Sequence, residues 1–315
     1  MFDALFDQVQ SWIFITLIQP LAFRLGLMAY EELAYDGVAW FLWGAIQIVL
    51  LLAVVRPLES LIPAEKWPDR KGTRLDVVYT LLARSGFLPL IFFLSLRPLT
   101  ASIDGWLRLR GWVLPNLEDL IPGLAALPLV SFFIYLFIID GADYVRHRMQ
   151  HRFSWWWELH ALHHSQRTMS FWTDDRNNLL DSAIGWLWFA VVALAIGVPP
   201  GQFVLLANAA RIVESVAHAN VRLTFGKWGE RLLVGPHFHR LHHAMGIGHE
   251  GRYQGCNFAT LFPIWDIIGG TANFSPGFPA TGIRDQVDGV DYGETFARQQ
   301  WLGLRRSARA LVTRN

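Results

Sequence analysis

The sequence predicts an all-α integral membrane protein: a transmembrane helix bundle with a cytosolic helical cap that carries clustered histidines. Three observations lead there. Of the 315 residues 53% are hydrophobic, with 15 Trp, 22 Phe and a mean hydropathy of +0.28, which fits a membrane protein better than a soluble enzyme. Several apolar runs approach the roughly 20 residues that a bilayer crossing requires. All eleven histidines lie between His147 and His249, outside the cleanest of those runs. A net charge of +1 gives no basic field for nucleic acid, so no nucleic-acid partner is expected. The single cysteine, Cys256, excludes an internal disulfide and any CxxC motif and reads as a small packing residue.

Taken in order, Ser11 to Tyr30 is apolar but interrupted by Pro20 and Arg24, so an interfacial or half-inserted helix fits it as well as a full span. The start has neither a positively charged leader nor a small-residue cleavage site, and no signal peptide is read. Expected spans are Val38 to Val55, Leu75 to Leu96, Ile121 to Ala142 and Ala183 to Val198. Pro199-Pro200-Gly201 then signals a turn into the more polar Gly201 to Ala217, giving a helical hairpin. A helix of its length reaches about 24 Å against a hydrocarbon core of about 30 Å, so the hairpin enters the bilayer without having to cross it.

Basic residues near span ends favour the cytoplasm. Arg56, Lys66, Arg70, Lys71 and Arg74 follow the first clean span, and Arg146, Arg148, Arg152, Arg167 and Arg176 run through the first histidine groups. Two crossings separate these loops, so they share a face. The expectation is a bacterial inner-membrane protein with its site facing the cytoplasm, against which only Arg97, Arg108 and Arg110 argue. Three regions result: membrane-anchoring helices over 1–139, a histidine-bearing region with the membrane hairpin over 140–271, and a cytosolic tail over 272–315. In the tail, Glu294 to Arg314 reads as an amphipathic or basic surface helix.

The histidines form three boxes: HRMQH gives His147 and His151, HALHH gives His160, His163 and His164, and HRLHH gives His239, His242 and His243. Helical residues three or four apart share a face, so each box aims two or three imidazoles at one point. Neutral imidazole binds iron, zinc, copper and nickel. A tetrahedral zinc needs four ligands, whereas the boxes supply eight and His218 makes nine, a number that suggests two metals held by three chain segments. Asp143 and Glu214 each stand four residues before a histidine, one helical turn away, where a carboxylate could fix the tautomer of His147 or His218. The plainer readings are a span end meeting water for Asp140 and Asp143, and an ion pair with Arg211 for Glu214. Asp174 and Asp175 could fix a histidine likewise but, on an expected loop, read first as solvated residues, and Trp155, Trp156 and Trp157 read as an interfacial aromatic belt or, alternatively, a channel wall. A histidine-rich membrane metal transporter or metal-binding protein is the competing class. Transporters place ionisable ligands inside their spans, and the expected spans hold no histidine. The same observation counts against a haem cytochrome.

HRMQH, then ELHALHHS (Glu158 to Ser165), HAN (His218 to Asn220), PHFHRLHHA (Pro236 to Ala244), NFA (Asn257 to Ala259) and WDIIGGT (Trp265 to Thr271) together resemble the fatty acid hydroxylase / sterol desaturase superfamily. The resemblance covers roughly Asp140 to Thr271. It implies a membrane enzyme with a di-iron centre that uses O2 and two external electrons to hydroxylate or desaturate a lipid: sterol-like, fatty acyl or related. The implied ligands are His147, His151, His160, His163, His164, His218, His239, His242 and His243; the motif does not cover His249, a possible extra ligand six residues after the third box, or His237, which reads as supporting or structural. Three departures stand out: Asn178 where relatives carry a histidine, which leaves a ligand missing or replaced by an Asn-bound water; Ala259 for glycine; and Gly269 for phenylalanine. No GxGxxG motif suggests bound NAD or flavin. The electron donor is therefore expected to be a separate ferredoxin or cytochrome b5-like protein with its reductase.

Overall fold

Three helices among the described residues are long and apolar enough to cross a membrane: Met28–Leu61, Pro128–Arg152 and Leu179–Ile196. The computed structural model describes residues 2–66, 71–112, 116–198 and 200–313, and within them the protein is helical with no strand. Arg70 and Pro199, used above for orientation and for the hairpin turn, lie outside the described residues.

The first apolar stretch is not one helix. α1 (Phe2–Ile13) passes through a π-turn into α2 (Gln19–Arg24), and the chain then breaks at Gly26, whose φ of +70° suits a residue without Cβ. α3 (Glu31–Leu50) begins with Glu31 and Glu32 in its first turn, where carboxylates complement the helix dipole. It continues through a π-turn at Leu51–Val55 into α4 (Arg56–Leu61). Leu51 and Val55 in that turn pack on Phe171, Ala219 and Val221, joining the first span to the histidine-bearing region.

The expected span Leu75 to Leu96 is split. α5 (Lys71–Arg84) and α6 (Phe87–Leu109) meet at Ser85 and Gly86, the latter at φ +77°. α3 and α5 cross in backbone contact, because a Cβ on Gly44 would lie 1.9 Å from the Arg84 carbonyl oxygen. After the short α7 (Leu117–Leu120), the next span starts later than expected: Gly123 at φ +83° turns the chain and Pro128 opens α8 (Pro128–Arg152). His147 and His151 therefore sit on the last turns of a span-length helix and not beyond it, and the same helix runs unbroken through residue 140.

α9 (Ser154–His164) follows after one non-helical residue. α10 (Leu179–Ile196) is started by Asn178, whose side chain accepts from the Leu180 N–H at 3.0 Å, and is ended by Gly197. α11 (Pro200–His218) returns the chain to the histidine end. The remaining helices are α12 (Gly226–Gly229), α13 (Pro236–His242), α14 (Ile264–Gly269) and α15 (Phe296–Val312), the last packed along α9.

Candidate metal centre

Four elements converge at the histidine end of α8. That helix supplies His147 and His151, α9 supplies His160, His163 and His164, the end of α11 supplies His218, and α13 with its C-cap supplies His239, His242 and His243. Nine imidazoles sort into two buried groups whose candidate ligand atoms lie within 4.8 Å of one another: His147, His151, His160, His164 and His242 in one, His163, His218, His239 and His243 in the other.

The tautomers follow from the partners of the outer ring nitrogens. A carbonyl only accepts, so the Nδ1 atoms of His147, His151, His218 and His242 must be the protonated ones: they donate to the carbonyls of Phe258 (2.7 Å), Gln254 (3.0 Å), Glu214 (2.7 Å) and Cys256 (2.8 Å). His160 Nδ1 faces the Asp181 carboxylate at 3.2 Å. Neutral imidazole protonated at Nδ1 carries its lone pair on Nε2. Yet Nε2 of His147 and Nε2 of His160 lie 3.2 Å apart, two acceptors with no proton between them. The His151–His164 and His160–His164 pairs stand at 3.2 Å, His163–His218 at 3.1 Å, His218–His239 at 2.9 Å and His239–His243 at 3.1 Å, each measured Nε2 to Nε2. His242 Nε2 has no hydrogen-bond partner among the described residues. The opposed lone pairs of His147 and His160, and the crowding of the other ring nitrogens in a buried site, fit a cation held between them.

Electrostatics keep these imidazoles neutral. Burial first, and then neighbouring imidazoles, hold His160, His163, His164, His239 and His243 well below the ordinary 6.5, and burial pushes His242 down to about 3. Metal binding needs the deprotonated form, which these residues hold without competition from protons.

The supporting residues differ from those expected. Asp143 accepts from Arg146 at 2.6 Å and from Thr260 at 3.2 Å and does not meet His147. Glu214 serves His218 through its backbone carbonyl, not its carboxylate, and Arg211 pairs with Asp175 at 2.8 Å instead of with Glu214. Asn178 is spent on capping α10 and on the Gln300 carbonyl at 3.1 Å, remote from both groups. Among the described residues the carboxylate hydrogen-bonded to a histidine of the two groups is Asp181, which also accepts from Gln150 and from Trp156 Nε1, each at 2.7 Å, while Asp174 Oδ1 stands 3.6 Å from His218 Nδ1. Sequence reasoning passed Asp181 over, although it is the only charged residue in the otherwise apolar α10.

Other expectations also change. Asp174 and Asp175 are buried, not solvated, because Arg84 pairs with them at 3.0 and 2.8 Å. Asp140 does not end in water: it accepts from Thr260 Oγ1 and from the Leu261 and Phe262 N–H groups at 2.8–2.9 Å. Asp266 likewise accepts from the Phe258 and Ala259 N–H groups at 2.8 and 2.7 Å, and these two aspartates fix the loop that presents the Phe258 carbonyl to His147. Trp156 is buried against Asp181, and Trp157 packs on His151 and His164 with centroids 4.9 and 5.3 Å apart, so both brace the site. His237 turns to Glu230 at 2.9 Å and stays outside both groups. His249 packs on His164 and Trp157 at 5.4 and 5.5 Å but contributes to neither group. Gly269 has a local reason: a Cβ there would lie 1.9 Å from the Tyr144 hydroxyl.

A cavity of about 250 Å³ reaches this centre from between α8, α10 and α11, bordered by His147, His160, His163, His218 and His239.

Comparison with known proteins finds similarity over the histidine-bearing region and beyond it. Residues 132–271 match the fatty acid hydroxylase family model. The chain is 24% identical over 279 residues to an ornithine lipid hydroxylase from Rhizobium tropici, covering 85% of this chain and 78% of that protein. It is 30% identical over 187 residues to human alkylglycerol monooxygenase, covering 58% of this chain and 37% of the relative. The Caenorhabditis elegans alkylglycerol monooxygenase is 30% identical over 134 residues, 42% of this chain and 25% of the relative. The chain thus spans well under half the length of these two monooxygenases. No solved structure matches it significantly.

Proposed function

We propose that the chain, whose residues 132–271 match the fatty acid hydroxylase family model, is a membrane-bound, O2-dependent di-iron oxygenase of that superfamily that hydroxylates a lipid. The observation that carries this reading is the convergence of nine buried imidazoles in two groups, with ring nitrogens facing one another at 2.9–3.2 Å. One iron would be held by His147, His151, His160, His164 and His242, the other by His163, His218, His239 and His243. Bound iron would supply the oxidising power toward a C–H bond that no side chain has.

The chain's own residues do the rest. Backbone carbonyls of residues 254, 256 and 258 and the Asp181 carboxylate hold four imidazoles of the first group in one tautomer and orientation. Burial of all nine rings keeps bulk water from the reacting centre. The cavity borders histidines of both groups and would seat a substrate beside them. The names of the relatives favour hydroxylation over desaturation. A ferredoxin or a cytochrome b5-like protein with its reductase would deliver the electrons. In this reading residues 1–139 anchor, residues 140–271 carry the centre, residues 272–315 form a tail on the cap, and the cap faces the cytoplasm of a bacterial inner membrane. A transporter reading is disfavoured because the relatives are lipid oxygenases by name.

Metal content tests this. Protein purified in mild detergent from iron-supplemented cells is expected to hold close to two irons per chain. His163→Ala and His242→Ala should each lower that number while the protein stays membrane-inserted, and His237→Ala should leave it unchanged. Full iron in either of the first two variants refutes the ligand assignment.

A further inference from the structure

The walls of the cavity change character in step along three helices. On α8 they run from Ile139 to Arg146, on α10 from Phe189 to Asp181, and on α11 from Phe203 through Ala210 to Glu214 and His218. In each case the apolar residue lies away from the histidines and the charged one beside them. Phe203 and Glu214 are separated by about 16 Å of helix, and Glu214 and His218 by about 6 Å. The cavity is therefore a tube with an apolar limb between the spans and a charged collar directly against the centre.

Within that collar the ionic partners are unequally distributed. Arg146 is taken by Asp143 at 2.6 Å, and Arg84 and Arg211 are taken by Asp174 and Asp175. The Glu214 carboxylate borders the cavity and has no hydrogen bond or ion pair to any described residue. A carboxylate that faces a cavity and has no donor of its own is open to one supplied by the ligand.

Resting on the reading of the site as a lipid oxygenase, we propose that the tube takes its amphiphilic substrate head-first. Glu214 accepts a hydrogen bond from a hydroxyl or ammonium head group, and the alkyl chain lies back along Phe203 and Phe189. Such a seating presents the carbons next to the head, and not the far end of the chain, to the histidine groups. It also disfavours anionic heads, because the cavity lining carries Asp174, Asp175, Asp181 and Glu214 against only Arg146 and Arg211.

Equilibrium dialysis of the iron-loaded full chain in lipid nanodiscs against radiolabelled dodecylamine, dodecan-1-ol and dodecanoate tests this, with Ala210→Trp, which blocks the tube, as the background. The amine and the alcohol are expected to bind at least about ten-fold tighter than dodecanoate, and Glu214→Gln should weaken amine binding by about ten-fold or more. Dodecanoate binding as tightly as the amine overturns the proposal. So does amine binding that neither Glu214→Gln nor Ala210→Trp reduces. Iron counted on the same samples separates the two readings: Glu214-dependent amine binding in a wild-type chain that cannot retain iron leaves head-first seating intact and refutes the di-iron assignment. Two irons with no Glu214 dependence does the reverse.

Discussion

Asp181→Asn removes one specific support from one of the two histidine groups. Asp181 accepts three hydrogen bonds, from Gln150 Nε2 (2.7 Å), Trp156 Nε1 (2.7 Å) and His160 Nδ1 (3.2 Å). Asparagine keeps one acceptor oxygen, which satisfies Gln150 and Trp156 on Oδ1. The other position becomes an N–H2 donor facing the Nδ1 proton of His160. To avoid two opposed donors, His160 must move its proton to Nε2, the nitrogen that points at His147 and His164. Loss of such a support typically costs 10- to 100-fold in metal affinity, about 1.4–2.8 kcal/mol. The group of four does not contain His160, so the loss is confined to one of the two irons. The assay is iron per chain along a chelator titration, where the wild type is expected to release two irons in overlapping steps. In the variant one step should move to 10- to 100-fold lower chelator while the other stays in place. Coincident release of both irons, or an unshifted curve, refutes the argument from tautomers.

Acidification should unfold the metal-stripped protein in a defined window. Burial lowers the His242 pKa from 6.5 to about 3, so between these values the unfolded chain binds more protons than the folded one and stability rises with pH. In detergent the melting midpoint is expected to hold above about pH 7 and to fall as the pH drops from 6.5 toward 3. Each such histidine contributes about 1.4 kcal/mol per pH unit within its own window, and a midpoint that is flat or rises on acidification contradicts this. Gly269→Ala places a Cβ 1.9 Å from the Tyr144 hydroxyl and should cost about 1–3 kcal/mol, read as a lowered melting midpoint. Adding Tyr144→Phe should restore part of it, and a single variant as stable as wild type would refute the close contact.

Much of this was legible in the residues because it is local. HxxxH and HxxHH place imidazoles on one helical face whatever the tertiary structure, and the nine histidines named from the boxes and His218 are the nine that converge. Span boundaries were less legible, because hydropathy does not register a backbone break. Gly86 divides an apolar run, and Gly123 with Pro128 delays the start of another, which moved His147 and His151 onto the span itself. The supporting residues were least legible because their partners are distant in sequence. Spacing of one helical turn suggested Asp143 and Glu214, yet the acceptors for His147, His151 and His242 are carbonyls roughly a hundred residues away or in the next loop, and no side-chain identity announces a carbonyl. Asp174 and Asp175 looked solvated only because Arg84, their partner, lies some ninety residues earlier.

That three outer nitrogens of one histidine group are held by the carbonyls of Gln254, Cys256 and Phe258 has a consequence for biogenesis. These carbonyls are synthesised after the last of the nine histidines, and the loop that bears them is pinned by Asp266, made later still. A nascent chain that has just emerged through His249 already has every imidazole in place along its sequence but none of the acceptors that fix His147, His151 and His242. Metal met at that stage would find flexible histidines with mixed tautomers. If the centre takes metal as proposed, selective loading would wait until translation has passed residue 266 and the loop has folded back onto α8.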